Sequence, residues 1–332
     1  MTKREGSWRS SSLDRKSNTI SLALKPPFLT RLYRYVEKGA YLVTYGLFLG
    51  LIFLTQRLPL KVAYGIASLV GDLLFLLWRR GRANAIDNMC HVLGPGATDL
   101  EVRGAAQRSF RNYMKVLVDF LRLPRTSQEE VKRRVQFNGW EHLDGALQKG
   151  KGALLVGLHL GSWDLAGLAL AGRGYELYVV AEKQKPLWLN RLIHGWREAQ
   201  GIHIIFVDRL VRPLLRALKR NQIAGIIVDR PLSPSEGVAV RFFGQNIFWP
   251  RGPAAIALHT GAPLLIGYLV RTPDDRFQGE LLPPLDFRAS GDRREDLRHL
   301  SQMVVETLEQ IIEKYPDQWY MFRRMWPSRR CG

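Results

Sequence analysis

Cysteine is almost missing from this chain: two of its 332 residues, Cys90 and Cys331, and no C-x-x-C pair. That scarcity argues against a thiolate zinc site and against a fold held together by a disulfide framework. The sequence also lacks a Gly-x-Ser-x-Gly nucleophile elbow, so a serine hydrolase of that type is not predicted. It has no His-Glu-x-x-His motif, and its histidines are scattered, so we predict no bound metal.

Acidic residues are in deficit. The chain carries 49 Lys and Arg against 30 Asp and Glu, which gives a formal net charge of +19 and a pI near 10.3. Such a field attracts nucleic acid, anionic lipid headgroups or phosphate-bearing cofactors. Neither a helix-turn-helix nor a zinc-finger signature is present, and the positive charge lies beside apolar segments. The expected partners are therefore membrane lipids and not nucleic acid.

The N-terminal region predicts a basic, Ser-rich flexible tail over residues 1–38, with no cleavable signal pattern, followed by a hydrophobic membrane anchor over residues 39–80. Residues 39–56 carry no charge, and their length is near the minimum for crossing a bilayer as a helix. Residues 62–78 are similar but contain Asp72, and a Trp-Arg-Arg sequence of the interfacial anchor type closes them. A single span, a buried helix and a monotopic anchor all fit, and we predict membrane attachment without choosing between the first and the last.

Segments typical of strands and helices alternate through the remaining domain, residues 81–332. This alternation predicts an α/β fold with a mostly parallel central sheet flanked by helices, and ligands bind such sheets beyond the carboxyl ends of the strands. Residues 238–243 alternate like an exposed edge strand. The other predicted strands are 153–158, 177–181, 202–207, 223–228 and 263–270, and the predicted helices are 101–123, one from 162, 187–200, 211–219, 251–260 and 292–315.

A histidine and an acid five residues apart follow the first of these buried strands, in the sequence His159-Leu-Gly-Ser-Trp-Asp164. Gly161 permits a tight turn, so Asp164 is expected to fold back and hydrogen-bond one ring nitrogen of His159. The other nitrogen would then take the proton of a hydroxyl that attacks a thioester carbonyl. The same spacing also suits a histidine that caps the following helix, with Asp164 near its positive end.

The segment HLGSWDLAG resembles the catalytic block of the bacterial lipid A biosynthesis (late, secondary) acyltransferases and of the related phosphatidylinositol mannoside acyltransferases. Members share a His-x-x-x-x-Asp/Glu motif, an N-terminal membrane anchor and a fold similar to that of the glycerolipid acyltransferases. Asp164 stands where many lipid A enzymes carry Glu, and residues 229–244 look closer to the mannoside enzymes. Further blocks that resemble the family are 82–88, 190–201, 240–244, 252–258, 260–263 and 316–326.

The resemblance implies roles for particular residues. His159 is the expected general base and Asp164 its orienting acid, whereas Arg197, Asp229 and Arg230 are expected at the substrate-binding site. An arginine there could hold the oxyanion of the reaction or phosphates of donor or acceptor. It could equally form a structural ion pair, and Asp229 could simply order that arginine.

The function implied is transfer of a fatty acyl group from an acyl thioester, of coenzyme A or acyl carrier protein, to a hydroxyl of a lipid A-like or phosphatidylinositol mannoside-like glycolipid or of a lysolipid. The thioester is a co-substrate, and no separate cofactor is expected. The reaction is expected at the cytoplasmic face of the plasma (inner) membrane. The alternative from a different class is a non-catalytic, basic, membrane-associated binding protein.

Overall fold

The computed structural model describes residues 44–230, 235 and 237–326, so the predicted tail lies outside the described residues. The chain divides into two compact units, residues 1–54 and 55–332. In the first unit, residues 44–54 are helical and expose large apolar side chains, including Leu47 and Phe53. This helix, α1, is described from residue 44 to residue 57, so the unit boundary falls inside it.

Four helices follow in the second unit: α2 (Leu60–Leu77), α3 (Arg79–Leu93), α4 (Asp99–Arg122) and α5 (Gln128–Arg134). A capping box of Thr98 and Glu101 begins α4, and it satisfies backbone N–H groups that have no partner within the helix. Helix α2 packs along α4, and Gly71 makes the close approach possible, since a Cβ there would lie 2.7 Å from the Arg111 Cα.

The opposite face of α2 is covered by no described residue. Val62, Ile66, Leu69 and Leu76 expose about half or more of their surface, whereas Asp72 points to α4 and accepts hydrogen bonds there. Within the described residues, α2 is the one helix long and apolar enough to cross a membrane.

Strands and helices follow one another through the rest of the second unit. They are β1 (Val135–Asn138), α6 (Trp140–Leu147), β2 (Ala153–Gly157), α7 (Trp163–Gly172), β3 (Leu177–Ala181), α8 (Leu187–Ala199), β4 (Ile202–Phe206), α9 (Val211–Lys219), β5 (Ile223–Ile227), β6 (Gly237–Phe242), β7 (Gln245–Pro250), α10 (Gly252–Thr260), β8 (Leu264–Arg271), β9 (Phe277–Leu281) and α11 (Arg293–Lys314).

A seven-stranded sheet forms the centre of the second unit, in the order β1-β9-β8-β2-β5-β3-β4. Strands β8, β2, β5, β3 and β4 run parallel, β9 is antiparallel to β8, and β1 is parallel to β9. The predicted α/β fold with a mostly parallel sheet flanked by helices is confirmed.

The central strands are buried on both faces. In β2, Leu154 and Val156 face one apolar core, while Ala153 faces the other. This two-sided burial is why these strands are continuous apolar runs and not alternating ones.

The strand predicted at residues 238–243 is present as β6, Gly237–Phe242. It lies outside the main sheet and pairs with β7 in a separate antiparallel hairpin. The alternation reflects one covered face. Val240 and Phe242 are buried beneath α11 and the C-terminal segment, residues 315–326, where the Trp326 ring stacks on the Phe242 ring with 5.4 Å between the ring centroids.

A buried charge cluster of Tyr64, Asp119, Arg134 and Arg271 joins α2, α4, α5 and β8. Asp119 accepts from Arg134 at 3.0 Å and also from Arg271 and the Tyr64 hydroxyl. The Asp119 carboxylate therefore faces two guanidinium groups. Burial and the nearby charge of Asp119 raise the pKa of the Tyr64 phenol, which stays protonated. The cluster therefore holds α2 to the rest of the unit through buried polar contacts.

Asp119→Asn should destabilise the protein by about 3–5 kcal/mol, because it removes the carboxylate that two arginines share and leaves them only the longer ion pairs to Glu130 and Asp275. The matched control is Asp99→Asn on the same helix, where the partner Arg103 and the aspartate are both exposed; about 1 kcal/mol or less is expected there. Urea unfolding of the two variants measures the difference. Equal losses would contradict a structural role for the cluster.

Candidate active site

His159 lies two residues after β2, in a turn fixed from two sides. The Gly161 N–H donates to the Gln318 carbonyl at 2.9 Å, and the Tyr320 N–H donates to the His159 carbonyl at 2.9 Å. Gly161 has φ +59°, and a Cβ at this position would lie 1.8 Å from the Leu269 carbonyl oxygen. Only a glycine therefore fits at position 161, where the turn passes between β8 and the C-terminal segment.

The acid that contacts the His159 ring is Asp229, which lies two residues after β5. Because β5 is the parallel neighbour of β2, the two side chains leave the sheet at the same edge. Asp229 Oδ1 lies 2.7 Å from His159 Nδ1, and Oδ2 accepts from the His159 backbone N–H and from the Trp319 indole, both at 2.9 Å. Asp229 is 0% exposed, and the His159 side chain is 24% exposed.

The surroundings of Asp229 favour its charged form. Burial alone would raise the pKa of the carboxyl, but the His159 ring and the hydrogen bonds from His159 and Trp319 outweigh it and hold the pKa below the ordinary value. An ionised Asp229 requires Nδ1 of His159 to carry a proton. Nε2 is then the free ring nitrogen, and it has no hydrogen-bond partner among the described residues.

The predicted contact between Asp164 and the His159 imidazole is not formed. Its carboxylate, in the first turn of α7, accepts a two-pronged hydrogen bond from Arg197 on α8, at 2.7 Å from Nε and 3.2 Å from Nη2. The planar guanidinium matches both carboxylate oxygens, and Nδ1 of His159 is already occupied by Asp229. The predicted hydrogen bond between Asp164 and His159 is thus replaced by two separate pairs, Asp229 with His159 and Asp164 with Arg197.

Arg230 forms an ion pair with Glu182 at 2.5 Å, beyond the carboxyl end of β3, and not with its neighbour Asp229. The hydrogen bond from Arg230 lowers the pKa of Glu182. Glu182 is not among the site residues predicted from the sequence. The sequence does contain a signal for Glu182, because this acid directly follows a predicted strand at the edge of the sheet where ligands bind.

These groups meet around one cavity of about 290 Å³ at the carboxyl edge of the sheet. Of the predicted site residues, His159, Asp164, Arg197 and Arg230 line it, and Asp229 lies behind His159. The described residues contain no group of three or more His, Cys, Asp or Glu placed to hold a metal ion. The apolar part of the wall consists of Val116, Leu117, Phe120, Trp163, Val180, Ile193, Val207 and Ile227.

Fold and cavity together define an α/β protein with a ligand site at the carboxyl edge of its parallel strands, half polar and half apolar. Residues 36–328 match the family model described as bacterial lipid A biosynthesis acyltransferase. The chain belongs to this family, which confirms the family predicted from HLGSWDLAG, and it is an acyltransferase. The alternative of a non-catalytic binding protein is set aside.

Two named relatives show the breadth of the family. The phosphatidylinositol mannoside acyltransferase of Mycobacterium tuberculosis (strain CDC 1551 / Oshkosh) is 30% identical over 252 residues, which cover 72% of this chain and 75% of the relative. The lipid A biosynthesis lauroyltransferase of Escherichia coli (strain K12) is 22% identical over 288 residues, 86% of this chain and 91% of the relative.

Trp319→Phe should move acid unfolding to higher pH. Because the folded-state pKa of Asp229 is lowered, the carboxylate stabilises the fold above its unfolded pKa, and this stability is lost as the pH falls through the folded value. Removing the indole N–H takes away one of the hydrogen bonds that hold the Asp229 pKa down, so the folded-state pKa rises. Acid titration followed by near-UV circular dichroism measures the midpoint.

The matched control is Trp326→Phe, since the buried Trp326 indole donates to the Phe242 carbonyl at 3.2 Å and does not contact Asp229. This variant should lose stability to a similar extent at every pH. If both variants shift the acid midpoint equally, the shift reflects packing and not the charge of Asp229.

Proposed function

We propose that this acyltransferase moves a fatty acyl group from the thioester of coenzyme A or acyl carrier protein to a hydroxyl of a glycolipid or lysolipid, with His159 as general base. The observation that carries the proposal is the His159 ring, held at Nδ1 by a buried carboxylate and bordering the cavity. The thioester is a co-substrate, and the proposed chemistry needs no separate cofactor.

The reaction starts with the acceptor hydroxyl hydrogen-bonded to Nε2 of His159. As its oxygen attacks the thioester carbon, the proton passes to Nε2, and Asp229 stabilises the imidazolium that forms. The tetrahedral oxyanion then collapses and the C–S bond breaks. The leaving thiolate takes the proton from Nε2, which yields an ester, a free thiol and the neutral imidazole for the next cycle.

The two arginines act as substrate-binding groups held by their acids. Asp164 fixes Arg197 and Glu182 fixes Arg230, so the remaining N–H donors of each guanidinium have defined positions at the cavity. Such donors suit the oxyanion of the tetrahedral intermediate, headgroup hydroxyls, or phosphates of donor and acceptor. In this scheme Asp229 positions the base, and Asp164 acts through Arg197.

A phosphatidylinositol mannoside-like headgroup is the favoured acceptor over a lipid A-like one. The relative named for that activity is 30% identical to this chain, against 22% for the lauroyltransferase. The acidic position of the motif also carries Asp164, where many lipid A enzymes carry Glu.

The enzyme is proposed to work at the cytoplasmic face of the plasma (inner) membrane, with residues 1–38 as a tail, residues 39–80 as the attachment region and residues 81–332 as the acyltransferase domain. The apolar outer face of α2 supports attachment, because exposed leucines on one side and inward polar contacts on the other are typical of a helix in contact with lipid.

His159→Ala should reduce acyl transfer by about 10⁴-fold or more, because the attacking hydroxyl loses its proton acceptor. Transfer of a labelled acyl chain from the thioester into extracted glycolipid measures the rate. The control is His259→Ala, an exposed histidine on α10 that does not line the cavity. Retained transfer in His159→Ala would reject the general-base role.

Asp229→Asn and Asp164→Asn separate the roles of the two acids. Asp229→Asn should lower kcat by about 10²–10⁴-fold with a nearly unchanged KM for the acceptor, because it alters the base and not the binding groups. Asp164→Asn releases Arg197 and should raise the acceptor KM. A pure kcat loss in Asp164→Asn, as large as that in Asp229→Asn, would contradict this division.

A further inference from the structure

Few large apolar side chains are exposed in the described part of the chain outside α1, α2 and Trp78. They are Leu100 at the start of α4, Leu187 at the start of α8, and Val207 and Val211 around the start of α9. The last three expose 68%, 51% and 64% of their surface. Leu187 lies in the segment that follows β3, and Val207 and Val211 lie in the segment that follows β4.

Strands β3 and β4 are parallel neighbours with Ala181 opposite Phe206, so the segments that follow them leave the sheet side by side. An ion pair of 2.6 Å between Lys183 and Asp208 joins the two segments. We call residues 183–187 and 207–212 the rim, because Gln184 and Val207 line the candidate active-site cavity.

The rim is cationic as well as apolar. Lys183 is paired with Asp208, whereas Lys185 and Arg212, and Arg191 one turn into α8, form no ion pair with any residue that the structure describes. Exposed aliphatic side chains among unpaired cations are the composition of surfaces that sit in the headgroup region of anionic membranes. An acidic protein would satisfy the charges but would not require three exposed aliphatic side chains.

The acceptor imposes a further requirement. Its hydroxyl must reach the His159 ring while its acyl chains stay in an apolar environment, so the opening of the cavity has to be near the lipid surface. We propose that the rim is a bilayer-docking surface that seats the opening of the cavity on an anionic membrane, in addition to the attachment region. This inference rests on the proposed lipid acceptor.

The test uses the full-length enzyme with the double substitution Leu187→Gln and Val211→Gln, two positions that do not line the cavity. The matched control is Leu100→Gln, since Leu100 is 81% exposed and lies about 24 Å along α4 from the cavity residue Val116 at 1.5 Å per residue. Cosedimentation with vesicles of phosphatidylglycerol and phosphatidylcholine gives the affinity. The double variant should bind about tenfold more weakly, and the control should bind like the parent.

Two further measurements test whether the weaker vesicle binding also lowers acyl transfer and whether it depends on the cations of the rim. Transfer to an acceptor embedded in vesicles should fall in the double variant, while transfer to the same acceptor in detergent micelles should not change. Lys185→Gln with Arg212→Gln should reduce the preference for anionic over purely zwitterionic vesicles, because these substitutions remove two of the unpaired charges.

Unchanged vesicle affinity of the double variant, or an equal loss in Leu100→Gln, overturns the proposal. A raised KM for acyl carrier protein with unchanged vesicle binding assigns the rim to the donor protein instead. Loss of acyl transfer by the double variant in both vesicles and micelles would assign the rim to the substrate-binding site instead of a membrane-docking surface. If the parent enzyme acylates no lipid, the proposed function fails, and the vesicle-binding arm still decides whether the rim docks on membranes.

Discussion

The buried carboxylate of Asp229 is the group on which the site depends. A charge without solvent contact is costly unless hydrogen bonds and an opposite charge compensate it. Here the compensation comes from the ring and backbone of His159 and from the indole of Trp319, three donors on two separate chain segments. Satisfying one acid therefore joins β2, β5 and the C-terminal segment, so the geometry around the base and the integrity of the fold depend on the same contacts.

The sequence predicted the central strands well because each is buried on both faces, which gives an uninterrupted apolar run. It also placed His159 correctly at a strand end. It assigned the wrong acid because spacing shows only local neighbours: Asp164 is five positions away, whereas Asp229 is brought close by the pairing of β5 with β2. That pairing depends on strand order, and hydrophobic periodicity carries no information about strand order.

For Arg197 and Arg230, the sequence left open a choice between a binding role and a structural ion pair. The structure has each arginine in an ion pair and at the cavity wall at once. The two roles are compatible, because a carboxylate occupies one edge of a guanidinium and leaves other donors free. Holding the side chain in advance also reduces the entropy lost when a ligand binds.

The contacts that fix His159 continue toward helix α2. The Gln318 side chain exchanges two hydrogen bonds of 2.7 Å with the backbone of Arg271, and the Gln318 carbonyl accepts from Gly161 in the turn of His159. Arg271 is a member of the buried charge cluster that holds α2. A continuous set of buried polar contacts thus links the proposed base to the helix with the exposed apolar face. In the proposed reaction at a membrane, this linkage would fix the height at which the acceptor hydroxyl meets the imidazole, which a flexible tether could not do.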